Sequence, residues 1–180
     1  MTRAWLAGVV LLLMPGVIEA QTKGPIADPS TLNPAALKLV LPEKIDWKPA
    51  AGLPGAESAV LVGDPGKPGF YVVVNRFQPG AFSRPHYHPN DRYIVVLSGT
   101  WWVGTGLDFD PERKTVPLKA GSFVTHVGRQ VHYDGARAGG EPVVVMIYGQ
   151  GPGTRAECDG PSGETGPGPC ADARRPAPRQ

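Results

Sequence analysis

Two of the four histidines in this 180-residue chain lie two residues apart, in the segment RPHYHPND (84–91). Residues i and i+2 of a β-strand point to the same face, so a strand through this segment places the imidazoles of His86 and His88 side by side. Paired imidazoles suit Zn, Cu, Fe and Ni. The spacing therefore predicts that these two histidines share one metal ion.

The segments that must position the histidines are short, apolar and rich in β-branched and aromatic residues. There are about eight such strand signals between residues 59 and 149, and turns containing Gly or Pro separate them. Within this range no window has the apolar spacing of an amphipathic helix. We therefore predict an all-β protein whose antiparallel strands form a sandwich or a barrel.

The segment PGAFSRPHYHPNDRYIVVLSG resembles the first motif of the cupin superfamily. Gly80, His86, His88 and Gly99 have the spacing of that motif. The resemblance covers roughly residues 59–149 and implies the cupin fold, a small antiparallel jelly-roll barrel, which agrees with the strand pattern. It also implies a single metal site inside the barrel.

A second segment, GSFVTHVGRQVHYDG, resembles the second cupin motif through Gly121 and His132. This motif is degenerate. The proline, the second glycine and the late asparagine of the family fall on Val127, Arg129 and Ala136. By resemblance, His132 joins His86 and His88 as a metal ligand.

The glutamate that binds metal in cupins falls on Arg92, and a guanidinium cannot ligate a metal. Four arrangements follow, and the sequence leaves all of them open. They are a three-histidine site of His86, His88 and His132 completed by water, replacement of the carboxylate by His126, a shift of Asp91 or Tyr93 into the site, and loss of the metal.

Arg92 has two alternative roles. If its side chain points into the barrel, it is a candidate catalytic residue that holds a carboxylate or another anion beside the metal. If it points outward, it pairs with a surface acid such as Asp91 or Asp108. The residue types alone do not separate these two orientations.

The resemblance implies a function class rather than a single reaction. Cupins with histidine-rich sites are often dioxygenases, isomerases or decarboxylases that act on small organic acids or phenolics. We therefore expect a metal-dependent enzyme with one divalent transition metal (Fe, Ni, Zn, Cu or Mn) and a small anionic substrate. The alternative is a non-catalytic module that binds or senses a small ligand or a metal. The resemblance also implies a homodimer.

Composition argues against nucleic acid as a partner. The net charge is +2, and charged residues make up only 19% of the chain. A nucleic-acid-binding surface needs clustered Lys and Arg, whereas here they are scattered.

The first twenty residues have the features of a signal peptide. Arg3 precedes an apolar run, and Ala20 ends the segment. The run is too short to span a bilayer. We therefore predict cleavage after Ala20, a periplasmic or secreted protein, and no association with a membrane after cleavage. The alternative is that the segment stays uncleaved as a membrane anchor.

The rest of the chain divides by composition. We predict an N-terminal extension at residues 21–58 that begins with a disordered leader at 21–35, and the barrel at 59–149. Residues 150–180 form a Gly- and Pro-rich tail that we predict to be disordered apart from a possible disulfide loop. Cys158 and Cys170 both lie in the tail. An oxidising compartment would join them in a disulfide, and the alternative is two free thiols.

Overall fold

The computed structural model describes residues 28–158 and residue 170. The predicted signal peptide and most of the predicted tail lie outside these residues. The chain divides between Leu39 and Val40 into two units. In the described part of the first unit, Asp28 caps a short 3₁₀ turn at Pro29–Thr31.

The described part of the second unit contains one 3₁₀ turn, Pro42–Lys44, and eleven strands. In chain order the strands are β1 (Lys48–Pro49), β2 (Ala56–Val62), β3 (Gly69–Phe77), β4 (His86–Tyr87), β5 (Arg92–Ser98), β6 (Thr100–Thr105), β7 (Val116–Lys119), β8 (Phe123–His126), β9 (His132–Gly135), β10 (Val143–Gly151) and β11 (Ala156–Glu157). Across the described ranges, no helix has the length and apolar character needed to cross a membrane.

The strands form two antiparallel sheets. The first sheet has the order β1-β2-β3-β10-β5-β8, and the second has the order β11-β4-β9-β6-β7. Strands that are distant in sequence are neighbours in both sheets, as in a jelly roll. The prediction of an all-β, antiparallel jelly-roll fold is confirmed.

The core follows from the alternation of side chains along each strand. In β10, Val143, Val145 and Ile147 are buried and the residues between them are partly exposed. In β5, Ile94 and Val96 are buried in the same way. The inner faces of the two sheets together bury one apolar cluster that also includes Tyr71, Val73, Phe77 and Trp101.

Two positions of the cupin-like motifs are tight turns. Gly99, between β5 and β6, has φ +75°, and a Cβ there would lie 2.5 Å from the carbonyl oxygen of Pro142. Only glycine fits such a position without strain. Arg129, which stands where cupins have a glycine, adopts φ 62°. The backbone at this position is therefore left-handed even though the residue is not glycine.

The sheets extend beyond the range predicted for the barrel. β2 begins at Ala56, and β10 continues to Gly151. β11 lies inside the segment predicted to be disordered, where it pairs with β4. The prediction of disorder is therefore wrong for residues 150–158, because backbone hydrogen bonds hold this segment without the apolar side chains on which the prediction depended. A disulfide joins Cys158 to Cys170 at its end.

Candidate metal centre

Three histidines meet on the inner face of the second sheet. His86 in β4 lies directly opposite His132 in β9, and their ring centroids are 4.4 Å apart. His88 follows two residues after His86, with its ring centroid 5.0 Å from that of His86. One ligand atom from each ring lies within 4.8 Å of those of the other two. The three side chains are buried and close enough to contact one ion.

The hydrogen bonds of these rings leave one nitrogen of each free. Each ring donates its Nδ1–H to a backbone carbonyl oxygen, since a carbonyl only accepts. The acceptors are Arg84 for His86 (2.7 Å), Thr154 for His88 (2.9 Å) and Gln130 for His132 (3.0 Å). The unprotonated nitrogen is then Nε2 in each ring. The Nε2 atoms of His88 and His132 are buried, and neither has a hydrogen-bond partner within residues 28–158.

Burial keeps the three imidazoles neutral. It lowers the pKa of His132 to about 3, with a further contribution from the charge of Arg92. Burial lowers the pKa of His88 to about 2, again with help from Arg92. The pKa of His86 falls further below its usual value for the same main reason. A metal ligand must be a neutral imidazole with a free lone pair, so these side chains fit a metal ion.

In His126 the proton lies on the opposite ring nitrogen from that of the other three histidines. It comes from β8 in the first sheet, and its ring centroid lies 3.7 Å from that of His132. Its Nδ1 lies 3.3 Å from a guanidinium nitrogen of Arg92. Because arginine only donates, Nδ1 of His126 must accept, and the neutral ring carries its proton on Nε2. The ring therefore presents an N–H to the site rather than a lone pair.

The surroundings of His126 hold the ring in this orientation. Trp101 stacks on it with ring centroids 5.5 Å apart. Burial lowers the pKa of His126, and the neighbouring His132 and Arg92 lower it further. His126 is therefore a neutral hydrogen-bond donor, and its Nε2 has no partner among the described residues.

Arg92 points into the barrel. It precedes Ile94 and Val96 on the inner face of β5, and it is paired in register with His126. On the other side its register partner is Gly149. The missing side chain there leaves room between Arg92 and Tyr71, the next residue across the sheet. Of the two orientations open in the sequence, the inward one is found.

Asp91 and Tyr93 lie away from the three histidines. Asp91 is exposed, and its carboxylate accepts a hydrogen bond from the backbone N–H of Gly128 at 2.7 Å. Tyr93 lies on the outer face of β5, between the rings of Phe123 and Tyr148. Neither residue replaces the carboxylate of the cupin motif.

Asp134 is a buried neighbour of these histidines that was not among the predicted site residues. It lies two residues after His132 on the same face of β9, so the i, i+2 rule that predicted the His86–His88 pair also predicts this neighbour. Burial raises its pKa to about 6, although the charges of Arg92 and Arg155 oppose that rise. Asp134 forms a second possible ligand group with His126 and His132. The hydrogen bond from Arg92 to His126 favours the three-histidine group instead.

Arg155 was also not among the predicted site residues, because it falls in the segment predicted to be disordered. It lies just before β11, and its charge contributes to the lowered pKa of His86, after burial and the neighbouring His132. No motif could have indicated this residue, since its place depends on how the end of the chain crosses the barrel.

Known proteins resemble this chain in fold but not in sequence. Neither a protein-family model nor a curated protein matches it. The polyketide cyclase RemF of Streptomyces resistomycificus is similar over 78% of this chain and 94% of its own, with 16% identity and a TM-score of 0.56. A cupin-like protein of Thermotoga maritima is similar over 70% of this chain and 91% of its own, with 22% identity and a TM-score of 0.51.

A cupin-2 domain of Rhodospirillum rubrum is similar over 68% of this chain and 80% of its own, with 16% identity and a TM-score of 0.50. Identities this low establish the fold and nothing finer. Together with the jelly-roll topology and the positions of His86, His88 and His132, they confirm the resemblance predicted from the histidine motif: the chain has the cupin fold, the double-stranded β-helix.

Proposed function

We propose that this protein is a metal-dependent enzyme that acts on a small organic acid or phenolic. One divalent transition metal is held by the Nε2 atoms of His86, His88 and His132. The observation that carries the proposal is the common state of these rings: each Nδ1 donates to a backbone carbonyl, and each neutral ring keeps its Nε2 lone pair. Buried nitrogens without partners are costly, and a bound cation removes that cost.

Three neutral ligands leave the charge of the ion uncompensated and leave coordination positions open. A metal in such a site supplies a Lewis acid that polarises a carbonyl or phenolic oxygen. Arg92 and the Nε2–H of His126 supply hydrogen-bond donors on the facing sheet. Donors fixed in this way stabilise negative charge that develops on a substrate oxygen. The fold is also that of a polyketide cyclase, so it is compatible with catalysis.

The second candidate function is a non-catalytic module that binds a small ligand or a metal. The burial of all four histidines favours it, because a covered site exchanges its ligand with solvent slowly and so favours retention over turnover. Turnover separates the two functions. We would supply the metal-loaded protein with a panel of carboxylates and catechols, and follow dissolved oxygen and product formation in air and under nitrogen. Turnover of any member supports the enzyme, whereas tight binding without turnover supports the module.

We also propose that the protein is exported to the periplasm or secreted. The predicted signal peptide is the basis of this proposal, and the disulfide between Cys158 and Cys170 supports it, since disulfides persist in oxidising compartments. Fractionation of cells that express the full chain, with the N-terminal residue of the mature protein determined, tests both points. Intact protein retained in the cytoplasm would contradict the proposal.

The metal site is tested by elemental analysis of protein purified without a histidine tag. We expect about one equivalent of a divalent transition metal per chain, and loss of that metal in His86→Ala and His132→Ala, because each substitution removes a ligand. Tyr87→Phe is the matched control, since Tyr87 lies between the two histidines but on the opposite face of its strand. Absence of metal from the folded wild type after reloading would overturn the proposal.

A further inference from the structure

The segment that follows β10 crosses from one sheet to the other beside the histidines. This segment, residues 152–158, is named the C-terminal strap; it leaves β10 in the first sheet and ends at β11 in the second. The N–H of Gly153 donates to the carbonyl of Pro65 at 2.7 Å, and that of Cys158 donates to Pro85 at 2.8 Å. The C-terminal strap is therefore held at both ends.

The middle of the C-terminal strap contacts the site. The carbonyl of Thr154 accepts the Nδ1–H of His88 at 2.9 Å. At the start of the strap, the side-chain N–H groups of Asn90 donate to the carbonyl oxygens of Gln150, in β10, and Pro152, both at 3.2 Å. The strap thus orients one of the three ligand histidines, and Arg155 is the next residue along it.

Arg155 has a largely buried side chain, 22% exposed, with unsatisfied hydrogen-bonding capacity. One of its terminal nitrogens pairs with the carboxylate of Glu157, which is 48% exposed. Its Nε is buried and has no partner within residues 28–158. The Nε of Arg92 is in the same condition. Two arginines beside the histidines therefore each keep a buried donor free.

The charges around the site are mostly positive. Arg92 contacts His126, whose ring lies against that of His132. Arg155 follows Thr154, whose carbonyl oxygen accepts the hydrogen bond of His88, so both arginines lie beside the histidines. Asp134 is the one buried acid near them in the described chain. A divalent ion on three neutral histidines adds two more positive charges. Together these positive charges outnumber the carboxylates of Asp134 and Glu157, and an anion beside the two arginines would offset the excess.

We propose that Arg92 and Arg155 form one anion subsite that holds a carboxylate group of the substrate beside the three ligand histidines. A planar guanidinium matches a planar carboxylate, and each arginine has more than one donor to give. The choice of a substrate rests on the proposed function, whereas the subsite itself needs no metal. The C-terminal strap then has a part in recognition, because it supplies one of the two arginines.

Binding of malonate tests the subsite. Malonate carries a carboxylate for the two arginines and a second one that can reach a metal. We would measure its affinity by calorimetry for metal-free and metal-loaded protein, in wild type, Arg92→Met and Arg155→Met. Removing one charge-assisted contact should weaken binding by roughly 10- to 100-fold in each variant. Arg113→Met is the matched control: it removes the same charge from a side chain that is 87% exposed, and it should leave the affinity unchanged.

The outcomes separate this inference from the proposed function. Loss of affinity in both variants of the metal-free protein supports the subsite even if no metal is ever found. A metal-loaded wild type that binds no malonate, or binds it equally well after Arg155→Met, would overturn the subsite and leave the metal site standing. Inorganic phosphate is the competing probe. Tighter binding of phosphate than of malonate would contradict the assignment to a carboxylate.

Discussion

The positions of protons on the histidine rings distinguish the four histidines from one another. His86, His88 and His132 each face a carbonyl oxygen with Nδ1, whereas His126 faces the guanidinium of Arg92. A carbonyl oxygen needs a donor and a guanidinium needs an acceptor. The other ring nitrogen, Nε2, therefore carries a lone pair in the first three rings and a proton in the fourth. Four chemically identical residues are thereby assigned two different roles.

We therefore expect His126→Gln to keep its metal. The substitution removes a donor toward the substrate but no ligand, so metal affinity should change by less than about tenfold, since His126 does not hydrogen-bond a ligand ring. His132→Gln, the matched change at a ligand, should lose the metal. Metal titration of the two variants followed by an affinity measurement for malonate checks both expectations. Equal loss of metal in the two variants would show that His126 is a ligand.

At the scale of elements, the site depends on a disulfide-bonded segment with little apolar content. β11 is only two residues long and pairs with the equally short β4. Cys158, which follows β11, is buried and bonded to Cys170. We therefore expect the disulfide to help the hydrogen bonds hold this segment in place.

We expect the double variant Cys158→Ser, Cys170→Ser to loosen the C-terminal strap. Loss of a bridge that closes a loop of this length costs up to about 3 kcal/mol in the chain-entropy model. Hydrogen exchange should accelerate most at the backbone amide of residue 158, which donates to the carbonyl oxygen of Pro85. Urea denaturation measures the change in the free energy of unfolding. Reduced wild type should behave like the variant. Unchanged exchange in both would mean that the hydrogen bonds alone hold the strap.

At the scale of the whole molecule, the buried histidines link stability to pH. Each has a lower pKa in the folded protein than the usual 6.5. Below pH 6.5 the unfolded chain therefore takes up protons that the folded chain does not, and stability falls as the pH falls. Asp134 acts in the opposite direction between about pH 6 and 3.8. Four histidines outweigh one carboxyl group.

We expect the metal-free protein to lose stability steeply between pH 6.5 and 4. Near pH 5 the four histidines bind about four more protons in the unfolded chain, and Asp134 binds about one more in the folded chain. The net difference of about three protons gives the free energy of unfolding a slope of about 4 kcal/mol per pH unit. Urea denaturation at several pH values measures it. In His126→Phe, the slope of the free energy of unfolding against pH should be smaller by the contribution of about one proton, since the substitution removes one titrating ring. Constant stability from pH 7 to pH 5 would contradict the neutral, buried state of the histidines.

Much of this molecule could be predicted from its sequence, because the information is local. Alternation along a strand brings His86 and His88 to one face whatever the rest of the chain does. The β-branched segments and Gly–Pro turns predict the antiparallel sheets for the same reason. Motif spacing adds His132, and the turn at Gly99 needs the glycine found there. Except for His132, which the resemblance to the second cupin motif adds, each of these conclusions depends on residues close to one another in the sequence.

Only the tertiary structure decided which groups complete the site. The orientation of Arg92 follows from the register of β5 against β8 and β10, and the role of His126 follows from that orientation. Arg155 reaches the site because the C-terminal strap crosses between two sheets whose strands are far apart in sequence. Such neighbours are set by packing and by hydrogen bonds between distant segments, and a linear pattern contains neither.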